Sequence, residues 1–538
     1  MSGFEWVAED GGDVFSRDPY GDWASRLGAD FLIDYKGDLK GNDGLPWLFA
    51  VLSRGRLPDV KRRFRVPFYG EDSADTEAIG PDGLQLAALT AEETRNLFSV
   101  LEEAPELVIP LALRRDSAAP ERRDGDAAVV AAAADSREAE AAGDDRAFRN
   151  PSLAGVRIQD GDTICCVIDH ATVFTHENFR VSSNPNDADH RKTRVLWAWM
   201  QEGQYQRRDR LPFGGAVTKP EIDAVLGDTD DPEEIMRRVG LADLARDQQP
   251  VTLSRMSHGT AVADIAAGEP VNQTASLRSP GAQHGNTNWI MSVGLPSFAN
   301  WDHSGAGLVV FVTFAMHHLF HRVRQVIQQS SGVRRPRIVI NLSYGISGGP
   351  HDGTGLFERH IDALIEVFKD QLARDGIEPR VALTMPSGNG FQSRRHANAK
   401  HPADEKAAPR RRRKVELELP WRLSPGDRTS SFLEVWLPGD ARRAKLTVTQ
   451  LGGEATEWDL GDLGPKVDLE ARLLRRHGQI VGRLSYDQPL FSPNLRRLVL
   501  AVAPSDTTAA PGYRVPGPQG LWHVVVEARI MPGEDLRA

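Results

Sequence analysis

The run Thr163–Asp169, TICCVID, is apolar through its middle and lacks the polar–apolar alternation of a strand with one wet face. Such a strand has to be covered on both faces, which is what helices laid on either side of a parallel sheet do. The segments that follow keep the pattern going. HGTAVADIAAG places Val262, Ile265 and Ala266 at i, i+3 and i+4, which is helical spacing. NWIMSVGLP reads as extended and GLVVFVTFAMHHLFHRVRQVIQQ as a long helix. RIVINLSYG reads as another buried strand, TGLFERHIDALIEVFKDQLARDG as a helix and RVALTMPSGNG as a final strand. The order predicts an α/β fold with a doubly wound, mostly parallel sheet. A polar, charged stretch between Phe179 and Val251 breaks the rhythm and reads as an insertion.

The flanks differ in kind. Residues 1–113 read as an α+β region. ADFLIDYKG and ELVIPLALR are its strands, and TAEETRNLFSVLEEA is a helix opened by the capping-box pair Thr90 and Glu93. Residues 114–150 are rich in Ala, Asp, Glu and Arg and nearly free of large apolar side chains, so they read as a flexible linker. The α/β domain is expected over 151–408. Over 409–538 helical periodicity fades, and KVELELPW, SSFLEVWLP, AKLTVTQL, QIVGRLSY, LRRLVLAVAP and LWHVVVEARI predict an antiparallel β-sandwich-like module.

Charge and cysteine content narrow the function classes. The formal charge is −10, and the basic residues are scattered apart from Arg410–Lys414, so no nucleic-acid partner is expected. Cys165 and Cys166 are adjacent in the apolar run and point to opposite faces of an extended strand, so a bond between them would be strained. They read as buried thiols, which suits a reducing compartment. The N-terminus lacks a secretory pattern. The longest apolar candidate, Gly307–Met316, falls short of the roughly 20 residues that a spanning helix needs. The expectation is a cytoplasmic chain with no membrane partner.

Open parallel sheets place reactive groups beyond the carboxyl ends of their strands. Asp169 ends one strand, His258 opens a helix, and Asn389 lies between two glycines after another. An acid, a base and an amide donor suit acyl transfer. A helix N-terminus disfavours imidazolium, which leaves His258 able to accept a proton. Asp169 would hold the ring's other nitrogen in the right tautomer.

VIDHATVFTHENF, SHGTAVADIAAG, VINLSYG and MPSGNG resemble, in that order, the blocks around the Asp, the His, the substrate strand and the oxyanion Asn of subtilisin-like serine peptidases. The resemblance covers about 155–400. It implies that Asp169 and His258 are two triad members, that Asn389 is the side-chain oxyanion donor, and that Ser343, Tyr344 and Gly345 line the substrate strand. It implies a polypeptide substrate and proteolysis by an Asp–His–Ser triad. Small α+β units precede such domains as propeptides, so residues 1–113 take that expectation.

The family's Gly-Thr-Ser block is absent after Asn389. The nearest string, SDTTAAP, puts Thr507 in the serine's slot but lacks the glycine and a following helix, and it reads as a decoy. The expectation is therefore that 151–408 is an incomplete catalytic domain, interrupted by the β-rich module, whose serine block lies beyond Ala538 or on another polypeptide. The alternative is a catalytically inactive relative that binds peptides or regulates. No cofactor or metal is expected, and nothing in the sequence supports a structural calcium site. His170 and His176 read as loop residues, and His317 and His321 as a pair on a helix surface.

Overall fold

A computed structural model of the chain describes residues 4–8, 18–26, 47–54, 68–69, 84–90, 107–114, 153, 155–170, 172–182, 184, 186–203, 211–229, 231, 234–235, 238–239, 257–269, 287–296, 306–390, 392–401, 411–450, 453–463, 471–489, 492–506 and 515–538. The stretch expected to be a linker lies outside them. So do the expected strand ADFLIDYKG, the helix after Thr90 and the decoy Thr507.

The chain opens with β1 (Phe4–Ala8) and α1 (Pro19–Arg26). Four strands then form an antiparallel sheet in the order β3-β4-β2-β5: β2 (Trp47–Arg54), β3 (Phe68–Tyr69), β4 (Leu84–Thr90) and β5 (Leu107–Arg114). Thr90 belongs to the end of β4.

The site-bearing unit comes next. It comprises β6 (Thr163–Asp169), β7 (Val195–Met200), β8 (Gly215–Thr218), α2 (Lys219–Leu226), α3 (His258–Ala267), β9 (Asn288–Gly294), α4 (Ala306–Gln329), β10 (Arg337–Leu342), α5 (Leu356–Arg374) and β11 (Arg380–Thr384). Its six strands lie in the order β11-β10-β6-β9-β7-β8, parallel except for the last pair. Alternate residues of β6 serve opposite cores. Ile164, Cys166 and Ile168 pack in a core with Phe314 and Leu319 of α4 and Ile361 and Leu364 of α5. Cys165 and Val167 pack with Ala263 and Ala267 of α3 and Ile222 and Val225 of α2. Both thiols are buried and free. Ala50, Leu86 and Ala88 of the N-terminal sheet join the α4–α5 core. Strands β7 and β8 and helix α2 come from the charged stretch expected to be an insertion, so that stretch builds one side of the sheet.

The remaining strands are β12 (Asn398–Lys400), β13 (Arg413–Leu423), β14 (Ser431–Pro438), β15 (Arg442–Gln450), β16 (Ala455–Gly461), β17 (Arg472–Arg476), β18 (Gln479–Asp487), β19 (Leu495–Val502), β20 (Gly520–Ile530) and β21 (Asp535–Arg537). They form two antiparallel sheets, β13-β20-β15-β16 and β1-β17-β18-β19-β14-β21-β12. The two share one core containing Leu446, Val524 and Trp522 from the first and Leu474, Val481 and Leu500 from the second. β1 is thus an edge strand of a sheet built almost wholly from the far end of the chain, paired in register from Phe4 opposite Arg476 to Ala8 opposite Arg472. Trp23 of α1 is buried in the same core, and its Nε1 donates to Ser430 Oγ at 3.0 Å. A buried indole needs such a partner for its N–H.

The doubly wound, mostly parallel α/β class does not describe the molecule. Among the described residues three of the four sheets are antiparallel, helices are few, and parallel pairing is confined to the six-stranded sheet. The reason lies in where the strands are. The alternation of strand and helix that suggested the class holds only from β6 to β11, whereas short strands at both ends of the chain pair with one another over long separations.

Candidate active site

Ser257 caps α3, accepting from the Thr260 N–H at 3.3 Å, and the two hydroxyls lie 2.5 Å apart. Thr260 Oγ1 in turn accepts the Val173 N–H at 2.8 Å, and Asn178 Nδ2 donates to Asp264 Oδ1 at 2.8 Å. These bonds fasten the start of α3 to the segment that leaves β6. Arg194, buried at the head of β7, donates to the carbonyls of Ala267, Asn288, Asn178 and Arg180. A cation on the last carbonyl of α3 satisfies orphan acceptors and suits the helix dipole. Sequence reasoning missed Arg194. The one signal was an arginine directly before the apolar run VLWAWM, the last basic residue of HRKTR.

The outcome is a close pair. His258 Nδ1 lies 2.8 Å from Asp169 Oδ1 and 3.0 Å from Oδ2. Asp169 is 0% exposed, and its Oδ1 also accepts the His170 N–H at 2.7 Å. A carboxylate only accepts, so the shared proton sits on Nδ1, and in the neutral tautomer that this favours Nε2 carries the lone pair. The His258 side chain is 62% exposed. Burial pushes the Asp169 carboxyl up, while the His258 hydrogen bond and the His170 N–H pull it back.

The other expected residues lie beyond the carboxyl ends of β10, which pairs with β6, and of β11, which pairs with β10. Ser343, Tyr344 and Gly345 follow β10, where Ser343 Oγ donates to Asn341 Oδ1 at 2.8 Å and Asn341 Nδ2 to Thr384 Oγ1 at 3.2 Å. Asn389 is exposed in the loop after β11, and a Cβ placed on Gly345 would sit 3.8 Å from Gly388 Cα. Asp169 and His258 therefore meet directly, while Ser343–Gly345 and Asn389 follow two parallel strands that end on the same side of the sheet.

Among the described residues, one face beside the pair is left uncovered. In register, Val339 and Asn341 of β10 lie opposite Cys165 and Val167 of β6, and Ala382 and Thr384 of β11 continue the two rows. α3 covers the β6 residues, but Val339 and Asn341 are only half-buried and Ala382 and Thr384 are exposed. On α3 itself Ile265 is 89% exposed, and Met385 after β11 is 46% exposed.

His170 is half-buried beside Asp169, and His176 caps a short 3₁₀ turn by accepting the Asn178 N–H. His317 is not on a helix surface. Its ring packs 5.6 Å from that of His360 between α4 and α5, and burial pushes both imidazoles down, His360 to about 4. Among the described residues no cluster of three or more His, Cys, Asp or Glu is placed to hold a metal ion, and no helix is long and apolar enough to cross a membrane.

No protein-family profile, curated protein or solved structure matches the chain.

Proposed function

We propose that Asp169 and His258 are the orienting acid and general base of a serine-type endopeptidase of the subtilisin kind. The single observation that carries the reading is the two-oxygen contact of a fully buried carboxylate with Nδ1 of an exposed imidazole at a helix start. In that role a polypeptide substrate lies along Ser343–Gly345. A serine hydroxyl presented to Nε2 gives up its proton as it attacks the scissile carbonyl. Asp169 stabilises the imidazolium that forms, and the Asn389 amide donates to the oxyanion. A positioned base of this kind is worth about 10²–10⁴-fold in rate. The hydroxyl itself has to arrive from the open side of the pair, next to the bare face of β10, β11 and α3.

A second reading has one observation behind it. Among the described residues no hydroxyl is hydrogen-bonded to His258 Nε2, so the chain is also suited to bind peptides without cleaving them.

The test of the base role is the imidazole of His258 followed by ¹⁵N and ¹H NMR. The expected spectrum has the proton on Nδ1, shifted far downfield, and that signal disappears in Asp169→Asn. A proton on Nε2 with Nδ1 bare would overturn the assignment, because a ring in that tautomer cannot accept from a nucleophile.

A further inference from the structure

The loop between β10 and α5 begins with Ser343–Gly345 and is then gripped by the antiparallel layers. The Gly349 N–H donates to Glu434 Oε2 of β14 at 2.6 Å. Arg537 Nη1 donates to the Pro350 carbonyl at 3.0 Å, and the Thr354 and Ser492 hydroxyls meet at 2.5 Å. Glu434 is the anchor with the least freedom. Its side chain is 9% exposed, its Oε2 also accepts Trp436 Nε1 at 3.1 Å, and its Oε1 faces Arg497 Nη1 at 3.6 Å.

Arg497 holds this carboxylate in place from behind. It is bound by Asp487 at 2.8 Å and by Asp18, just ahead of α1, at 3.0 Å. Tyr20 of α1 closes the remaining side. A Cβ on Gly348 would come within 3.1 Å of Tyr20 Oη and 3.6 Å of Glu434 Oε2. Gly349 has φ +109°, a conformation that residues with side chains avoid, so its N–H is aimed by a turn that only glycine makes freely. The carboxylate is compensated without the loop, and its bond to Gly349 therefore serves the loop.

We propose that Glu434 is a positioning residue: it fixes the turn at Ile346–Pro350, and through it the Ser343–Gly345 segment on which a polypeptide substrate lies. The antiparallel layers and α1 are in this way part of the substrate site. The proposal rests on the peptidase reading for its substrate, but the clamp itself can be measured without any turnover.

The experiment compares the full chain with Glu434→Ala and Glu434→Gln by amide hydrogen exchange, and by anisotropy of heat-denatured, fluorescein-labelled casein. In Glu434→Ala, Arg497 keeps two carboxylate partners, so its charge remains compensated. The expected result is exchange about tenfold faster over residues 343–350, with α5 and β10 unchanged. Casein binding should weaken about fivefold, and Glu434→Gln, which keeps an acceptor for the Gly349 N–H, should restore most of both. Unchanged exchange in Glu434→Ala would overturn the clamp. Faster exchange with unchanged casein binding would overturn its link to substrate. Faster exchange in a chain whose parent binds no casein would overturn that link too, because it removes the peptide-binding reading while leaving a structural clamp.

Discussion

A carboxylate with no exposed surface loses hydration that only hydrogen bonds can replace, and Asp169 has two donors, the His170 N–H and the His258 ring. They do not offset burial, since its carboxyl is held above the ordinary value. The sign follows from linkage. A group whose folded-state pKa is raised contributes stability below its unfolded pKa and loses it as pH rises through the folded value. At neutral pH the ionised Asp169 therefore costs stability. Asp169→Asn is expected to have a denaturation midpoint at pH 7 equal to or above that of the parent, while the hydrogen bond proposed to orient His258 is lost. A fall of about 1 kcal/mol or more in urea unfolding would show that the pair is held for stability instead. This pair was legible in the sequence because each member sits at an element boundary with a local signature, a run of apolar residues ending in Asp and a Ser–His–Gly–Thr helix start. Arg194 was not, because its four carbonyl partners are distant along the chain and no local pattern announces them.

At the scale of elements, β6, α3, β9, α4, β10, α5 and β11 follow from apolar runs and helical spacing alone. β7 did not, although VLWAWM is as apolar as TICCVID, because the charged residues on either side dominated the reading of the whole stretch. The α4–α5 contact holds a group that spacing could not place. The ring nitrogens of His360 are buried, with no hydrogen-bond partner among the described residues, and the ring faces His317. Both imidazoles are held below the ordinary value, His360 at about 4. Between pH 6.5 and 4 the unfolded chain takes up protons on these residues that the folded chain refuses, so stability falls as pH falls. Each such imidazole contributes up to about 1.4 kcal/mol per pH unit in that window. His360→Leu is expected to flatten the loss of urea midpoint between pH 6.5 and 4.5. The same slope in parent and variant would contradict the buried neutral ring.

On the scale of the whole molecule, the class was hidden from the sequence because the pairings that set it are remote. β1 pairs with β17, and β12 with β21, each between short strands with little pattern of their own. The second pairing also brings Ala397 and Ala538 into mutual backbone hydrogen bonds, at 2.7 and 2.9 Å. The strands that these layers take from β12 onward thus begin and end side by side. They also hold the loop after β10 through Glu434, Ser492 and Arg537. What the described residues do not bring to His258 is a hydroxyl. The most direct measurement is labelling with a fluorophosphonate, which reacts only with an activated serine. The expected result is no stoichiometric label on the 538-residue chain alone, and a label on the chain joined to a segment that carries a Gly-Thr-Ser block, lost there in His258→Ala. Stoichiometric labelling of the 538-residue chain itself would show a nucleophile within it. Absence of label from both would contradict the peptidase and leave the peptide-binding relative.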